Sequence, residues 1–164
     1  FAMDLSKKAS VDFINLAFSG ATTSDLINFQ LDEAMKLNPN YISLFIGIND
    51  LHNLLPPEKF QQNMAVIIDK LTKNTKAKIV AFNLPYLVSN QLILPHYNYF
   101  FDLRTKEYNS IIEKMSLENN LTLIDLYTPT KNDFSKRANF YSPDWFHPSG
   151  DGFSLWGTLV NNNI

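Results

Sequence analysis

The sequence predicts an α/β fold of three layers, in which a parallel sheet has helices on both faces. Two observations predict it: short, almost purely apolar runs recur along the chain, and segments with helical spacing lie between them. Continuous apolar runs are typical of strands that are buried on both faces. Strands that alternate with helices in one chain form parallel sheets, because each crossover between parallel strands needs a helix.

Four apolar runs rich in Ile, Val, Leu, Phe and Tyr are the candidate strands. They are residues 11–18, 41–46, 78–84 and 121–126. Ligands bind to such sheets beyond the carboxyl ends of the strands. We therefore expect the chemistry of this protein in the loops that follow the four runs.

Helical spacing is clearest after Pro57, where apolar residues recur every three or four positions: Phe60, Met64, Ile67, Ile68 and Leu71. Further helices are predicted at about residues 23–37 and 103–117 and after Gly150, with a short opening helix at residues 2–8. Thr22 and Asp25 have the spacing of a capping box at the start of the helix at 23–37. Residues 127–143 have no clear period and are expected to be irregular.

Composition limits the class of protein. A chain of 164 residues with 45% hydrophobic content can bury one sizeable core, so we expect a single domain over residues 1–164. The net charge of −2 provides no basic stripe for phosphates, so we expect no nucleic-acid partner. No apolar stretch approaches the roughly 20 residues of a transmembrane segment. The first residues carry no signal-peptide pattern. The compartment stays open, because many exported proteins also lack cysteine.

The chain has no cysteine, which excludes disulfides, cysteine-ligated zinc and a thiol nucleophile. No cluster of histidines and carboxylates has metal-ligand spacing either. We therefore expect a site without a metal or a cofactor.

Three predicted loops carry residues that suit catalysis, although each also has a simpler explanation. Gly20 follows the first run and can expose its N–H to a ligand, or it forms a plain left-handed turn. Asn49 follows the second run, where Asn-Asp is also a good turn former. Asp144 and His147 follow the fourth run, where a carboxylate three residues before an imidazole is a base with its orienting group, a helix cap or a surface ion pair.

In this order, the three loops resemble the second, third and fifth motif blocks of the SGNH (GDSL-type) hydrolase family. Residues 15–26 resemble the glycine block, residues 47–50 the Gly-x-Asn-Asp block, and residues 144–148 the Asp-x-x-His block. The resemblance covers almost the whole chain and implies a flavodoxin-like SGNH hydrolase fold. It also implies a serine ester hydrolase of the lipase, acylhydrolase or carbohydrate-esterase kind, with a secreted or periplasmic location somewhat favoured.

The resemblance implies a role for each matching residue. His147 would be the general base of a Ser-His-Asp triad, and Asp144 would hold its imidazole. The Gly20 N–H and the Asn49 side-chain amide would stabilise the oxyanion. The loss of one such donor raises the activation barrier by about 3 kcal/mol. Gly47 and Asp50 would shape their loop rather than touch the substrate.

The chain departs from the family in its first motif block, Gly-Asp-Ser, which carries the nucleophile and does not occur in the sequence. We therefore expect that the serine lies upstream of residue 1, on an N-terminal strand missing from this chain, and that an upstream segment of the same protein completes the sheet. An interior strand cannot be omitted without leaving unpaired backbone groups. Within the chain, Ser19 lacks a strand-to-helix elbow of its own, and Ser149 is placed to cap the last helix.

Residues 94–101 form an aromatic stretch, predicted as a loop, that either walls an acyl or aryl pocket or packs in the core. Two functional classes remain open. The first is the ester hydrolase. The second is a non-catalytic remnant or binding module without a nucleophile, and a flavodoxin-like binding domain is a distant third because no loop cradles a phosphate.

Overall fold

A computed structural model describes residues 12–86, 95–134, 138–144 and 147–161. The predicted opening helix at residues 2–8 lies outside these ranges. In the described part, helices and strands alternate from residue 23 to residue 161. Among the described residues, no helix combines the length and the apolar character that a membrane crossing requires.

Three parallel strands form the sheet in the order β1-β2-β3: Tyr41–Leu44, Lys78–Phe82 and Thr122–Ile124. Tyr41 is in register with Lys78, and Val80 with Thr122. Three of the four predicted strands are thereby confirmed. Each ends two residues before its apolar run does, because the last residues of each run turn into the loops that carry polar side chains.

The strand predicted at residues 11–18 is wrong for its described part, residues 12–18, which is irregular. Phe13 and Ile14 are 63% and 56% exposed, so this apolar run is not buried in the core. The Leu16 carbonyl accepts a hydrogen bond from the Gln30 side chain at 2.8 Å rather than from a neighbouring strand. An apolar composition produces a strand only where another strand supplies the hydrogen bonds of a ladder.

Helix α1 spans residues 23–36 and confirms the second predicted helix. It consists of α-helical Thr23–Asp25, a π-helical turn at Leu26–Gln30 and α-helical Leu31–Lys36. The predicted capping box is present, since the Thr22 side chain accepts from the Asp25 N–H and the Asp25 side chain accepts from the Thr22 N–H at 2.9 Å. Hydrogen bonds from the Thr22 side chain and backbone lower the pKa of Asp25.

A one-turn helix, α2, spans Ile48–His52, and the long helix α3 spans Pro57–Asn74. The five periodic apolar residues of α3 are all buried, as the spacing predicts. They pack in one core with residues from α1, β1, β2 and the helix Pro95–Glu118: Leu31, Leu44, Ile79, Tyr108, Ile112 and Met115.

Helix α4 spans Pro95–Glu118, α5 spans Tyr127–Phe134, and α6 spans Gly150–Asn161. Two expectations are corrected here. The aromatic stretch is helical from Pro95 onward rather than a loop, and α5 forms the first eight residues of a region expected to be irregular. In α5, the first turn is held by the Asp125 carboxylate, which accepts from the N–H groups of Tyr127 and Thr128.

A second core lies on the other face of the sheet, where α6 packs through Trp156 and Val160 against Val80, Phe82 and Ile124. Ile79 of β2 points to the first core, whereas Val80 and Phe82 point to the second. Because successive side chains of a strand alternate between faces, both faces of the sheet are covered. The predicted three-layer α/β/α architecture with a parallel sheet is confirmed.

Candidate active site

The candidate site lies at the carboxyl edge of the sheet, because the strands are parallel and their loops leave on the same side. Residues 45–47 lead from β1 to α2, and residues 125–126 lead from β3 to α5. The loop that precedes α6 contains Asp144 and His147. The sequence predicts chemistry in these segments.

Asp144 and His147 are in direct contact. The Nδ1 atom of His147 lies 2.6 Å from Oδ2 of Asp144, and Oδ1 of the same carboxylate accepts the His147 backbone N–H at 3.0 Å. An ionised carboxylate only accepts hydrogen bonds, so Nδ1 is the protonated nitrogen of the neutral ring and Nε2 is the basic one. The side chains of His147 and Asp144 are 68% and 50% exposed, which leaves the imidazole accessible.

The loop that carries this pair is closed at its base by backbone hydrogen bonds. The Ser142 N–H donates to the His147 carbonyl at 2.8 Å, and the Ser149 N–H donates to the Phe140 carbonyl at 2.9 Å. The Ser142 hydroxyl also donates to the Pro148 carbonyl at 3.0 Å. These bonds pair residues 140–142 with residues 147–149 and so fix the backbone of His147.

Gly20 and Asn49, the two predicted oxyanion donors, lie on loops that touch each other. Gly20 has a φ of 81° in an exposed turn, which a glycine adopts without strain. The Asn49 side-chain Nδ2 donates to the Ala21 carbonyl at 2.9 Å. A side-chain amide has two N–H groups, so this contact engages one of them. The structure therefore places Asp144 in contact with His147, and Asn49 in contact with the loop of Gly20.

No functional role is predicted from the sequence for Thr23 or Asn63, although both contribute to this arrangement. The buried Asp50 carboxylate accepts from the Thr23 N–H at 2.9 Å, and Asn63 donates to the Thr23 hydroxyl at 2.8 Å. Asn63 occupies a core-facing position of α3, between Phe60 and Ile67. A polar residue in the apolar stripe of a helix is the sequence signal that points to such a contact.

A second polar cluster, which we call the Asp102 cluster, lies where β2 and β3 give way to their loops. Asp102 accepts hydrogen bonds from the Tyr127 hydroxyl, from Lys106 Nζ at 2.9 Å and from Lys131 Nζ at 3.2 Å. Lys131 also lies 5.5 Å from the centre of the Tyr86 ring. The hydrogen bonds outweigh burial, which alone raises the pKa of Asp102, and hold that pKa below its ordinary value.

The Ser149 hydroxyl has a local structural role. Ser149 accepts the Gly152 N–H at 3.2 Å and donates to the Asn139 carbonyl at 2.5 Å, so its predicted role as a helix cap is confirmed. Ser19 lies in the exposed turn next to Gly20. Over the described ranges, no group of three or more histidines and carboxylates is arranged to hold a metal ion.

Solved structures with a similar fold include esterases and a lipase/acylhydrolase. A psychrotrophic esterase from Pseudoalteromonas sp. is 19% identical with a TM-score of 0.75, over 99% of this chain and 81% of that one. An acetyl xylan esterase is 24% identical with a TM-score of 0.79, over 99% and 87% of the two chains. A lipase/acylhydrolase from Enterococcus faecalis is 24% identical with a TM-score of 0.69, over 88% and 71%.

At these identities the structural matches establish the fold alone. The comparison with curated proteins gave no match. The family model of the GDSL-like lipases and acylhydrolases, however, matches residues 1–155, which is nearly the entire chain. The chain therefore belongs to the GDSL-like lipase/acylhydrolase family.

Proposed function

We propose that this protein hydrolyses esters with a Ser-His-Asp triad to which the chain contributes His147 and Asp144. The contact of 2.6 Å between His147 Nδ1 and the Asp144 carboxylate carries the proposal. It fixes the tautomer in which Nε2 accepts a proton, as a general base for a serine requires. The exposed side chain of His147, which a substrate can reach, supports the same role.

In the proposed reaction, Nε2 of His147 takes the serine hydroxyl proton while the serine oxygen attacks the ester carbonyl. The Gly20 N–H and the Asn49 Nδ2 group donate to the resulting oxyanion. When the tetrahedral intermediate collapses, the bond to the alcohol breaks and His147 returns the proton to the leaving oxygen. Water then attacks the acyl-serine by the same steps, which releases the acid and restores the serine.

We infer that the nucleophile lies on a strand that pairs with the free side of β1. In the described part of the chain, β1 pairs with β2 only. Residues 12–18 lie in no ladder either. An exposed parallel edge of this kind is a template for a further strand. The absence of a Gly-Asp-Ser sequence within residues 1–164 favours a segment upstream of residue 1 as its source.

The proposed substrates are small-molecule, lipid or carbohydrate esters. The structurally similar proteins include an acetyl xylan esterase and a lipase/acylhydrolase. A panel of p-nitrophenyl esters from acetate to octanoate, with acetylated xylan as a polymeric substrate, separates these classes.

The test uses the natural full-length protein that contains residues 1–164. We expect it to hydrolyse a p-nitrophenyl ester and to react with a fluorophosphonate at one serine upstream of residue 1, located by peptide mass spectrometry. Labelling at Ser19 instead would place the nucleophile inside the chain. If the folded protein neither hydrolyses any ester of the panel nor reacts with the probe, the non-catalytic binding module is the correct class.

A further inference from the structure

We propose that Asp50 is a positioning residue: its buried carboxylate ties the Gly20 loop to the Asn49 loop and so sets the distance between the two oxyanion donors. This inference rests on the proposed function, because it assigns the two donors to one oxyanion. It goes beyond that function in naming a side chain that acts through Gly20 and Asn49 without touching the substrate.

The first argument is the contact between Asp50 and Thr23. Oδ2 and Oδ1 of Asp50 accept the Thr23 N–H at 2.9 and 3.1 Å, and Oδ1 accepts the Thr23 hydroxyl at 2.5 Å. The two residues are 27 positions apart in the sequence, and the Asp50 side chain is only 1% exposed. One buried carboxylate therefore takes three hydrogen bonds from a single residue of the other loop.

The second argument is the position of these residues next to the two donors. Asp50 follows Asn49 directly in α2, and Thr23 begins α1 three residues after Gly20. Asn49 adds its own hydrogen bond of 2.9 Å to the Ala21 carbonyl. Adjacent side chains of one helix turn thus hold residues 21–23 at two points, and a shift of either loop would move one donor relative to the other.

The third argument is that the contact is anchored in the core. Asn63 of α3 is buried and donates through Nδ2 to the Thr23 hydroxyl at 2.8 Å and to the Ser24 hydroxyl at 3.2 Å. The Thr23 hydroxyl accepts from Asn63, so its own proton is directed to Asp50. A chain of hydrogen bonds therefore runs from the core helix α3 through Thr23 to Asp50.

The energetic cost of burying Asp50 also indicates a specific role. A buried carboxylate is costly to desolvate and is tolerated where hydrogen bonds compensate it. Burial, followed by the smaller electrostatic effect of Asp50, raises the pKa of Tyr108 to about 12. An apolar residue at this position would avoid the desolvation cost but could not accept the Thr23 N–H.

Amide hydrogen exchange measures the contact independently of catalysis. Thr23 is the first residue of α1, and the first N–H groups of a helix have no partner within the helix. Protection of the Thr23 amide therefore reports Asp50 as its acceptor. We expect a protected Thr23 amide in the wild-type full-length protein and at least tenfold faster exchange in Asp50→Ala.

Steady-state kinetics measure the positioning role. A misplacement of about 1 Å costs on the order of 10²-fold in rate, so we expect Asp50→Ala to lower kcat by about 10- to 100-fold with KM nearly unchanged. Thr23→Val removes the hydroxyl but keeps the N–H, and should lower kcat less. Thr23→Ser keeps the hydroxyl, so its kcat should stay close to that of the wild type.

Thr105→Val is the matched control, because Thr105 is a buried threonine of α4 whose hydroxyl donates to the Phe101 carbonyl of its own helix at 2.8 Å rather than to either loop. It should leave kcat and Thr23 exchange unchanged. If Asp50→Ala does not fold, the comparison of Thr23→Val with Thr23→Ser provides the test.

The outcomes separate this inference from the proposed function. A protected Thr23 amide in Asp50→Ala would overturn the contact, and an unchanged kcat despite rapid exchange would overturn the positioning role. Equal kcat losses in Thr23→Val and Thr23→Ser would overturn it as well. If the wild-type protein hydrolyses no ester, the proposed function fails, while the exchange measurement still tests the contact between the loops.

Discussion

The Asp144 carboxylate binds His147 twice, through the imidazole Nδ1 at 2.6 Å and through the backbone N–H at 3.0 Å. The same side chain therefore shapes the turn and orients the ring. Substitution by asparagine separates these roles, because its Oδ1 can still accept the backbone N–H while its amide cannot replace the second carboxylate oxygen.

We expect Asp144→Asn in the full-length protein to lower kcat on a p-nitrophenyl ester by about 10⁴-fold, as expected for a histidine held in the wrong tautomer. His147→Ala should lower it by about 10⁶-fold. Both side chains are at least half exposed, so the free energy of unfolding should change by less than about 1 kcal/mol. Comparable activity in His147→Ala and the wild type would exclude His147 as the base.

Gly47 shows how the loop of Asn49 depends on its backbone. Gly47 has a φ of 116°, and a Cβ there would lie 2.8 Å from Cε2 of Phe60, which is fully buried. Gly47→Ala combines a strained backbone with a clash in the core, so we expect it to reduce the free energy of unfolding by about 2–4 kcal/mol. Urea denaturation with an unchanged m-value measures the loss.

Gly157→Ala is the matched control for this prediction. Gly157 lies inside α6, and a Cβ there meets no atom within 4 Å. Alanine in a helix interior is more stable than glycine by about 0.5–1 kcal/mol, so this variant should be neutral or stabilised. Equal losses in the two variants would show that the contact with Phe60 is not the cause.

The parts of the fold that depend on local pattern could be predicted from the sequence. The helix Pro57–Asn74 follows from a stripe of buried side chains every three or four residues. The capping box of Thr22 and Asp25 is equally local. Whether the apolar run at residues 11–18 forms a strand could not be judged in this way, because such a run forms a strand only together with a partner that is distant in sequence.

The same distinction applies to the candidate site. Asp144 and His147 are three residues apart, so their contact follows from one turn. The contact between Asp50 and Thr23 spans 27 positions, and that between Tyr127 and Asp102 spans 25. Such pairs depend on how helices dock on the sheet, which periodicity does not specify.

Asn83 is predicted to hold the loops after β2 and β3 together. Its Oδ1 accepts the N–H groups of Leu126 and Tyr127 at 2.7 and 3.1 Å, and its Nδ2 donates to Asp125 at 2.8 Å. The side chain is 1% exposed, so Asn83→Ala leaves a buried N–H group unsatisfied. We expect a loss of about 2–4 kcal/mol in the free energy of unfolding.

Asn139→Ala tests whether this cost arises from burial. Asn139 donates to Asp151 at 3.0 Å in an exposed position, where water can replace the bond. We expect its loss to remain below about 0.5 kcal/mol in the same denaturation experiment. A comparable loss in both variants would contradict the role assigned to the buried contacts of Asn83.

Tyr97 and Tyr99 are predicted to influence the acyl-chain preference. They lie in the first turns of α4 and are 54% and 67% exposed, so they are available to a substrate rather than packed in the core. Replacing both by alanine should change the ratio of kcat/KM between acetate and octanoate esters by at least threefold. Leu117→Ala, at the exposed opposite end of the same helix, should leave the ratio unchanged. An unchanged ratio in the folded double variant would exclude a pocket at these residues.

The Asp102 cluster predicts a pH dependence of stability. Burial alone raises the pKa of Asp102, but hydrogen bonds from Tyr127, Lys106 and Lys131 hold it below the ordinary value of 3.8. A carboxyl group with a lower pKa in the folded state stabilises the fold above its unfolded pKa. This contribution is therefore complete above about pH 4 and is lost as the pH falls through the folded pKa.

We expect Asp102→Asn to have a lower Tm than the wild type at pH 6. As the pH falls below about 3.8, the wild type loses the contribution of the Asp102 charge, so the difference in Tm between the two proteins should become smaller. Asp69→Asn is the control, since Asp69 forms an exposed pair with Lys73 at 2.7 Å that contributes about 0.5 kcal/mol or less. The Tm of Asp69→Asn should stay close to that of the wild type at pH 6 and at pH 3. A difference for Asp102→Asn that persists unchanged at pH 3 would show that packing of the side chain, rather than its charge, stabilises this edge of the sheet.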